Sequence, residues 1–355
     1  MPLFFALLHL YVGARLLPAL EPRAQALGLA MLAASFWLVP KGWRIARASA
    51  RKVMARWIAM GFFSWLFVLT AARDVMLAFT DRWVVESALA VLVATPLITL
   101  IGYCMARRVA RVVEVQVPVD RLPESLHGFT IAQISDVHVG PTIKREFVER
   151  IVDRVNGLHP DLVAITGDLV DGSVGQLAPH TAPLARLKSR HGTYVVTGNH
   201  EYYSGADAWI GELERLGAHM LLNEHVVIDH DGARITVAGV TDYSAHHFDE
   251  SHRSDPALAL RGAPGDSAKV LLAHQPRSAP SAAAAGYDLQ LSGHTHGGQF
   301  WPWNLFVRFS QPFTAGLHKL GRMWIYISRG TGYWGPPMRF GIPSEITRIR
   351  LVRAG

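Results

Sequence analysis

The sequence predicts an α/β domain with much parallel strand pairing, preceded by an α-helical region apolar enough to cross a membrane. Three observations predict it. The first hundred or so of the 355 residues are nearly all apolar with clusters of arginine, whereas the rest has an ordinary globular composition. Beyond residue 111, apolar runs of strand type alternate with stretches of helical spacing, the pattern that yields parallel sheets. Several of those runs end in Asp, Asn or His, at the strand ends where such sheets offer their active groups. The expected division is a transmembrane helical region over 1–111 and an α/β domain over 112–355.

Four apolar stretches fill the first region: Leu3–Leu20, Ala24–Pro40, Trp57–Ala72 and Val84–Ala106. Each is near the ~20 residues that a bilayer core requires. They are apolar on all sides rather than along one stripe, which favours membrane helices over a buried soluble bundle. The first stretch carries His9 and Arg15, and Arg15 would have to snorkel or lie near an end. No basic residue precedes that stretch and no cleavage site is evident, so a signal peptide is the weaker reading. Trp37, Trp43, Trp57 and Trp83 fall near stretch ends, as interfacial aromatics do. The connection Lys41–Arg56 holds Lys41, Arg44, Arg47, Arg51, Lys52 and Arg56, and Arg107, Arg108 and Arg111 follow the last stretch. The opposite connections offer mainly Arg23, or Arg73 and Arg82 balanced by Asp74 and Asp81. Positive-inside reasoning therefore expects a multi-pass inner-membrane protein whose second domain is cytoplasmic. Much of the net charge of +7 is this flank signal. The second half lacks a dense Lys/Arg tract, so nucleic acid is not an expected partner. The single cysteine, Cys104, excludes an internal disulfide and a thiolate metal site.

In the second region Val112–Val119 alternates and is β-branched, which predicts a strand. Phe129–Ser135 predicts another, followed by Asp136-Val137-His138. Lys144–Leu158 has helical spacing through Phe147, Ile151, Val152 and Val155. Asp161–Thr166 is a buried-type strand ending in Gly167-Asp168, and Leu177–Lys188 is expected to be helical. Gly192–Thr197 predicts a strand before Gly198-Asn199-His200-Glu201, and Ala206–Leu216 a helix. Val226–Asp229 and Arg234–Val240 read as a hairpin about Asp231-Gly232. Lys269–Ala273 precedes His274, and Ser278–Ala285 is a short helix. Tyr287–Leu291 precedes Gly293-His294-Thr295-His296, where strand periodicity places both imidazoles on one side. Met323–Ser328 and Ile346–Val352 complete the strands.

Asp136, His138, Asp168, Asn199, His274, His294 and His296 thus all follow predicted strands. Singly, each fits a turn or cap residue. Together they are nitrogen and oxygen donors for borderline divalent ions such as Mn, Fe or Zn. Seven ligands exceed what one catalytic ion with an open position takes, but they suit two ions when one carboxylate bridges. Two carboxylates leave a pair of divalent ions with excess positive charge, which favours a phosphate ester over a neutral substrate. Two ions about 3.5–4 Å apart acidify a shared water, orient it in line and stabilise the leaving oxygen.

The ordered series Asp136-x-His138, Gly167-Asp168, Gly198-Asn199-His200-Glu201, His274 and Gly293-His294-x-His296 resembles the calcineurin-like metallophosphoesterase superfamily, from about Ile131 to Gln299. Gly198–Tyr203 with Gly293–Gln299, behind a hydrophobic N-terminal region, is similar to its bacterial membrane-associated phosphodiesterase branch. The resemblance implies a sandwich of two mixed sheets flanked by helices. It implies a first metal held by Asp136, His138 and His296, a second held by Asn199, His274 and His294, and Asp168 between them. Manganese is the favoured ion over iron or zinc. His200 would bind no metal; beside the phosphate it would stabilise the transition state or protonate the leaving oxygen. The expected reaction is metal-hydroxide attack on a phosphodiester, lipid-linked or nucleotide-linked. A phosphomonoesterase or protein phosphatase on the same site, and a non-catalytic membrane scaffold, are the rival readings.

Other residues carry less. His246 and His247 read as a solvated loop, and His180, His191, His219 and His252 as surface. Arg329, Arg339 and the Gly330–Gly335 turn are candidate phosphate contacts, and Arg339 reads equally as a sheet-edge residue. The aromatic run Phe300-Trp301-Pro302-Trp303, with Phe306, Phe309 and Phe313, should border the site, as packing or as an apolar lip toward a lipid.

Overall fold

A computed structural model describes residues 2–43, 49–80 and 82–355. Arg44, Arg47 and Asp81, used above for orientation, lie outside the described residues. The chain divides into two compact units: Met1–Arg108 with Gly335–Phe340, and Val109–Trp334 with Gly341–Gly355. The grouping of Gly335–Phe340 with the helices was not anticipated.

The first unit holds four helices, α1 (Pro2–Leu16), α2 (Pro22–Leu38), α3 (Ala50–Leu77) and α4 (Val84–Arg107). Among the described residues three are long and apolar enough to cross a membrane, the spans being Pro22–Lys41, Ala50–Leu77 and Val84–Arg107. The first helix is shorter and ends in a 3-10 turn at Leu17–Ala19. The unit packs around Val12, Leu16, Phe63, Leu66, Ala88 and Val91. Leu7, Leu10, Leu27, Leu29, Val93, Leu97 and Leu100 point outward. Arg15 lies in the last turn of α1, at the helix end; its Nε meets Asp74 Oδ2 at 2.8 Å, and that oxygen also accepts from Tyr11 at 2.7 Å. Arg339 is no sheet-edge residue but fully buried, with its backbone N–H donating to the Gly102 carbonyl at 3.1 Å.

The second unit contains, in chain order, β1 (Arg111–Val119), β2 (Thr130–Ile134), α5 (Arg145–Asn156), β3 (Leu162–Thr166), α6 (Val174–Thr181), β4 (Thr193–Val196), α7 (Asn199–Ser204), α8 (Ala206–Arg215), β5 (His219–Met220), β6 (Glu224–His230), β7 (Ala233–Gly239), α9 (Pro256–Ala259), β8 (Ala268–Leu272), α10 (Ala279–Ala285), β9 (Leu289–Ser292), β10 (Gly316–Leu320), β11 (Met323–Ile327) and β12 (Glu345–Arg353). Among the described residues these strands form two six-stranded sheets, ordered β1-β12-β2-β3-β4-β5 and β10-β11-β9-β8-β7-β6. Each is mixed. In the first, β2 through β5 run parallel while β12 is antiparallel to β2; in the second, β11, β9, β8 and β7 run parallel with antiparallel β10 and β6 at the edges.

The inner faces interdigitate as one apolar layer. Val117, Ile131, Leu162, Ala164 and Val196 come from the first sheet; Ile235, Val237, Val270, Leu272, Leu289, Leu291 and Tyr326 come from the second. The alternate residues Ala238, Leu271 and Ile325 face outward into a further apolar cluster with Ala279 and Ala282 of α10, as strand alternation requires. Helix α5 buries Phe147, Val148, Ile151, Val152 and Val155 at helical spacing. The helix expected over Leu177–Lys188 is corrected: α6 ends at Thr181 and Ala182–Arg186 is a 3-10 turn, with Pro183 unable to donate to an α-helical ladder.

Candidate metal centre

The parallel strands of both sheets aim their C-terminal ends at one place. Strands β2, β3 and β4 deliver Asp136 and His138, Asp168, and Asn199 and His200; β8 and β9 deliver His274, and His294 and His296. Beneath them Gln133 of β2 ties the sheets together, donating to Thr166 Oγ1 and to the Ser292 carbonyl, each at 2.9 Å.

Three groups of ligand atoms, each mutually within 4.8 Å, result: Asp136, His138 and His296; Asp168, His274 and His294; and His138, Asp171 and His200. In the first, His138 Nε2 and His296 Nε2 lie 3.0 Å apart, with Asp136 Oδ1 at 3.5 Å from the latter. In the second, His274 Nε2 lies 3.2 Å from His294 Nδ1 and 3.1 Å from Asp168 Oδ2. That Asp168 oxygen is also 3.9 Å from His138 Nε2, so it stands between these two groups. Strand periodicity misplaced His294 and His296: β9 ends at Ser292, both residues have left-handed backbones (φ 71° and 51°), and they reach different groups.

Backbone constraints hold this crowding. A Cβ on Gly198 would strike the Asp168 carboxylate, and one on Gly293 would strike Ser135 Oγ and Asp136 Oδ2. Only glycine lets these turns come so near the acids.

Hydrogen bonds set the tautomers. The buried His274 donates from Nδ1 to the Thr166 carbonyl at 2.8 Å, leaving Nε2 to face the site. His138 Nδ1 meets Asp171 Oδ1 at 3.1 Å, so its Nε2 also faces inward. The same Asp171 oxygen accepts from His200 Nδ1 at 2.5 Å. Burial opposes the Asp171 charge, yet His138 and His200 hold it at about 2. One carboxylate thereby orients a candidate ligand and the candidate acid together. Sequence reading missed Asp171; its signal was a second acid three residues past Asp168, followed by Gly172.

Glu201 is the second residue without an assigned role. Its carboxylate accepts from the backbone N–H groups of Asp168 (2.9 Å), Leu169 (2.7 Å), Val170 (3.2 Å) and Gly198 (2.6 Å). Burial and the Asp168 charge push its carboxyl up to about 7. Four N–H donors nevertheless leave a proton little room, and this geometry fits the carboxylate.

Charge is distributed unevenly across the site. Burial opposes the Asp168 charge, but His274 and His200 hold it well below the ordinary carboxyl range. Asp136 is pushed up by burial. His294 is depressed to about 3 by burial and by His274, so it presents a lone pair. Burial disfavours charge on His200, but Asp168 and Asp171 outweigh it and lift the imidazole to about 9.

The donor set fits divalent cations. Asp136 Oδ2 and Asn199 Oδ1 are buried without a hydrogen-bond partner, although buried polar atoms are nearly always satisfied. Inward imidazole nitrogens facing one another at 3.0 and 3.2 Å complete the oxygen and nitrogen set.

Residues outside the cluster also find places. Arg329 is paired with Glu345, Nη1 to Oε2 at 2.8 Å. His191 and His252 are half-buried rather than surface residues: His191 Nε2 lies 2.9 Å from His230 Nδ1, and His252 Nδ1 lies 2.8 Å from the Tyr202 hydroxyl. His246 and His247 lie against each other in a turn at the surface, ring centres 4.0 Å apart and planes tilted by 43°.

Comparison with known proteins agrees with this geometry. The family model of the calcineurin-like phosphoesterases matches residues 129–298. A bovine transmembrane protein with metallophosphoesterase domain is 42% identical over 287 residues, covering 78% of this chain and 64% of that protein. An uncharacterized metallophosphoesterase of Helicobacter pylori strain J99 is 42% identical over 247 residues, covering 68% and 64%. One of Campylobacter jejuni is 31% identical over 297 residues, covering 83% and 76%. The chain thus spans less than two thirds of the length of the first two, 64% of each. With the two-sheet fold, the clustered donors and these relatives in agreement, the chain belongs to the calcineurin-like metallophosphoesterases.

Proposed function

We propose that this protein is a membrane-anchored phosphodiesterase using two divalent ions. The observation that carries the reading is the pair of donor groups on either side of Asp168, with two buried ligand oxygens otherwise unsatisfied. Asp136, His138 and His296 would hold one ion, Asn199, His274 and His294 the other, and Asp168 would bridge. Bound there, divalent ions, with manganese favoured, supply an acidified water and positive charge for phosphoryl oxygens. The protein's own part is positioning and proton transfer. Asn199 is neutral and offers only an amide oxygen. His200, held at Nδ1 by Asp171, turns Nε2 into the site, 3.9 Å from Asp168 Oδ2, where it would donate to the phosphate or its leaving oxygen.

The three span-length helices and their outward apolar side chains support anchoring in a membrane. The bovine relative is named as a transmembrane protein. Arginine distribution supports a multi-pass inner-membrane protein with its second unit in the cytoplasm. A substrate linked to a lipid or a nucleotide fits a tethered enzyme.

The test is hydrolysis of a chromogenic phosphodiester and its monoester partner by the purified full chain with manganese, beside His200→Ala and Asp168→Ala. Metal-dependent diester turnover lost in both variants is the expected result. A strong monoester preference would make the protein a phosphatase. No turnover of either ester despite bound metal would count against this catalytic reading. Orientation is tested by a Ser173→Cys label in a Cys104→Ser background; labelling from outside unpermeabilised cells would contradict the cytoplasmic placement.

A further inference from the structure

Between β9 and β10 the chain makes a loop whose ends are fixed and whose tip is presented to solvent. Phe300 and Gln311 are buried at its two ends. Thr295 Oγ1 donates to the Thr314 carbonyl at 2.6 Å, and Arg277 donates to the Ser310 carbonyl at 2.8 Å. Between these anchors Trp301, Trp303, Leu305, Phe306 and Phe309 are all exposed, Phe306 at 55% and Phe309 at 76%. Five large apolar side chains within nine residues form a concentrated outward patch of the kind that marks an interaction surface. Two short 3-10 turns, Trp303–Leu305 and Val307–Phe309, set their directions.

We propose that this tip seats on an anionic lipid bilayer. The first argument is charge. From Leu289 to Ser344 the sequence contains no Asp or Glu, while the exposed cations Arg308, Lys319 and Arg322 fall within it. Arg308 lies in the patch itself, its guanidinium 5.2 Å from the centre of the Phe309 ring. Exposed Trp and Phe beside exposed Arg is the composition of an interfacial anchor, rings at the acyl boundary and cation at the headgroups. The second argument is against a second copy as occupant. In a symmetric contact the patch would meet itself, bringing arginines together with no acidic residue in the segment to compensate. The seating rests on the membrane part of the reading above and not on its catalytic part. Its consequence for the site is direct: Asn304 packs on Gly298, two residues past His296, so a seated loop holds the metal centre next to the lipid surface.

The experiment uses the full chain in nanodiscs. In a Cys104→Ser background, Phe309→Cys carries an environment-sensitive nitrobenzoxadiazole label, and Glu214→Cys on the exposed side of α8 serves as control. The discs contain equal parts phosphatidylglycerol and phosphatidylcholine, with or without a doxyl-labelled lipid. At position 309 we expect blue-shifted emission, loss of most of that emission to the doxyl lipid, and weakening of both in pure phosphatidylcholine. The label at 214 should show neither. Leu305→Cys repeats the test should the 309 variant fold poorly. Emission at 309 and 305 that matches position 214 overturns the proposal. Blue-shifted emission that doxyl lipid does not quench also overturns it, since protein and not lipid then covers the patch.

Discussion

Replacing Glu201 with Gln should weaken the fold more than its size suggests. The side chain keeps its shape, but one of its two oxygens becomes an NH2 group. Whichever way the amide turns, it faces two backbone N–H groups: those of Leu169 and Val170, or those of Asp168 and Gly198. Each buried donor left without an acceptor costs about 1–3 kcal/mol. Relief from burying a charge returns part of that sum, and we expect a net loss of about 2–4 kcal/mol. For a folded unit of this size, each kcal/mol lowers the melting temperature by about 2–4 °C. A fall of roughly 5–15 °C follows for metal-free protein. Scanning fluorimetry of the full chain in detergent with excess chelator, somewhat above neutral pH, reads it. Glu201 also joins the Asp168 loop to the Gly198–Asn199 turn, so cation affinity should fall in parallel. A melting temperature within a degree or two of wild type would show that these four bonds do not brace the turns, and would refute the reasoning.

Asp171→Asn keeps an acceptor but removes the charge shared by His138 and His200; turnover should fall by about 10–100-fold. Because His200 is held above its ordinary value by Asp168 and Asp171, the alkaline limb of the rate profile should move to lower pH in this variant. An unmoved limb would remove Asp171 from that role. Burial disfavours charge on His274, but Asp168 and Asp136 hold its imidazole well above the ordinary value. A cation must displace that proton, so affinity should rise with pH, by about tenfold per unit for one proton released. Calorimetry in buffers of different ionisation enthalpy checks it, and an affinity independent of pH would speak against His274 as a ligand. Gly198→Ala should abolish tight cation binding measured by competition with a chelator, because its methyl group would occupy the space of the Asp168 carboxylate.

Much of the cluster was legible because each of its residues follows an apolar run, and strand ends can be located by composition alone. Asp171 and Glu201 were not legible in the same way. Asp171 acts on side chains that lie 33 and 29 positions away in the chain, and locally it is one more acid before a glycine. Glu201 bonds only to backbone, and backbone amides leave no mark in a sequence. The two-sheet sandwich was legible only through the family resemblance, and the order of strands within each sheet was hidden. Strand β12 enters between β1 and β2 from the far end of the chain, and non-local pairing has no periodic signature. Strands β5 and β10 escaped detection for different reasons: one has two residues, and the other reads Gly-Leu-His-Lys-Leu without clear alternation. In the helical region the position of Arg15 near a helix end was legible, but its partner Asp74 was not, since the two lie 59 positions apart.

Five of the seven candidate ligands, Asp136, His138, Asp168, His294 and His296, have φ between 51° and 71°. Side chains other than glycine avoid that region, and each such residue costs about 1–3 kcal/mol of strain. The two cores and the braces around the turns must therefore sustain a cradle that its own backbone resists. A cradle held that way has little freedom to widen or contract around its guest. Were it to hold the proposed pair of ions, it would act as a gauge of ionic radius set when the chain folds, since an ion of the wrong size would have to bend the sandwich to be held.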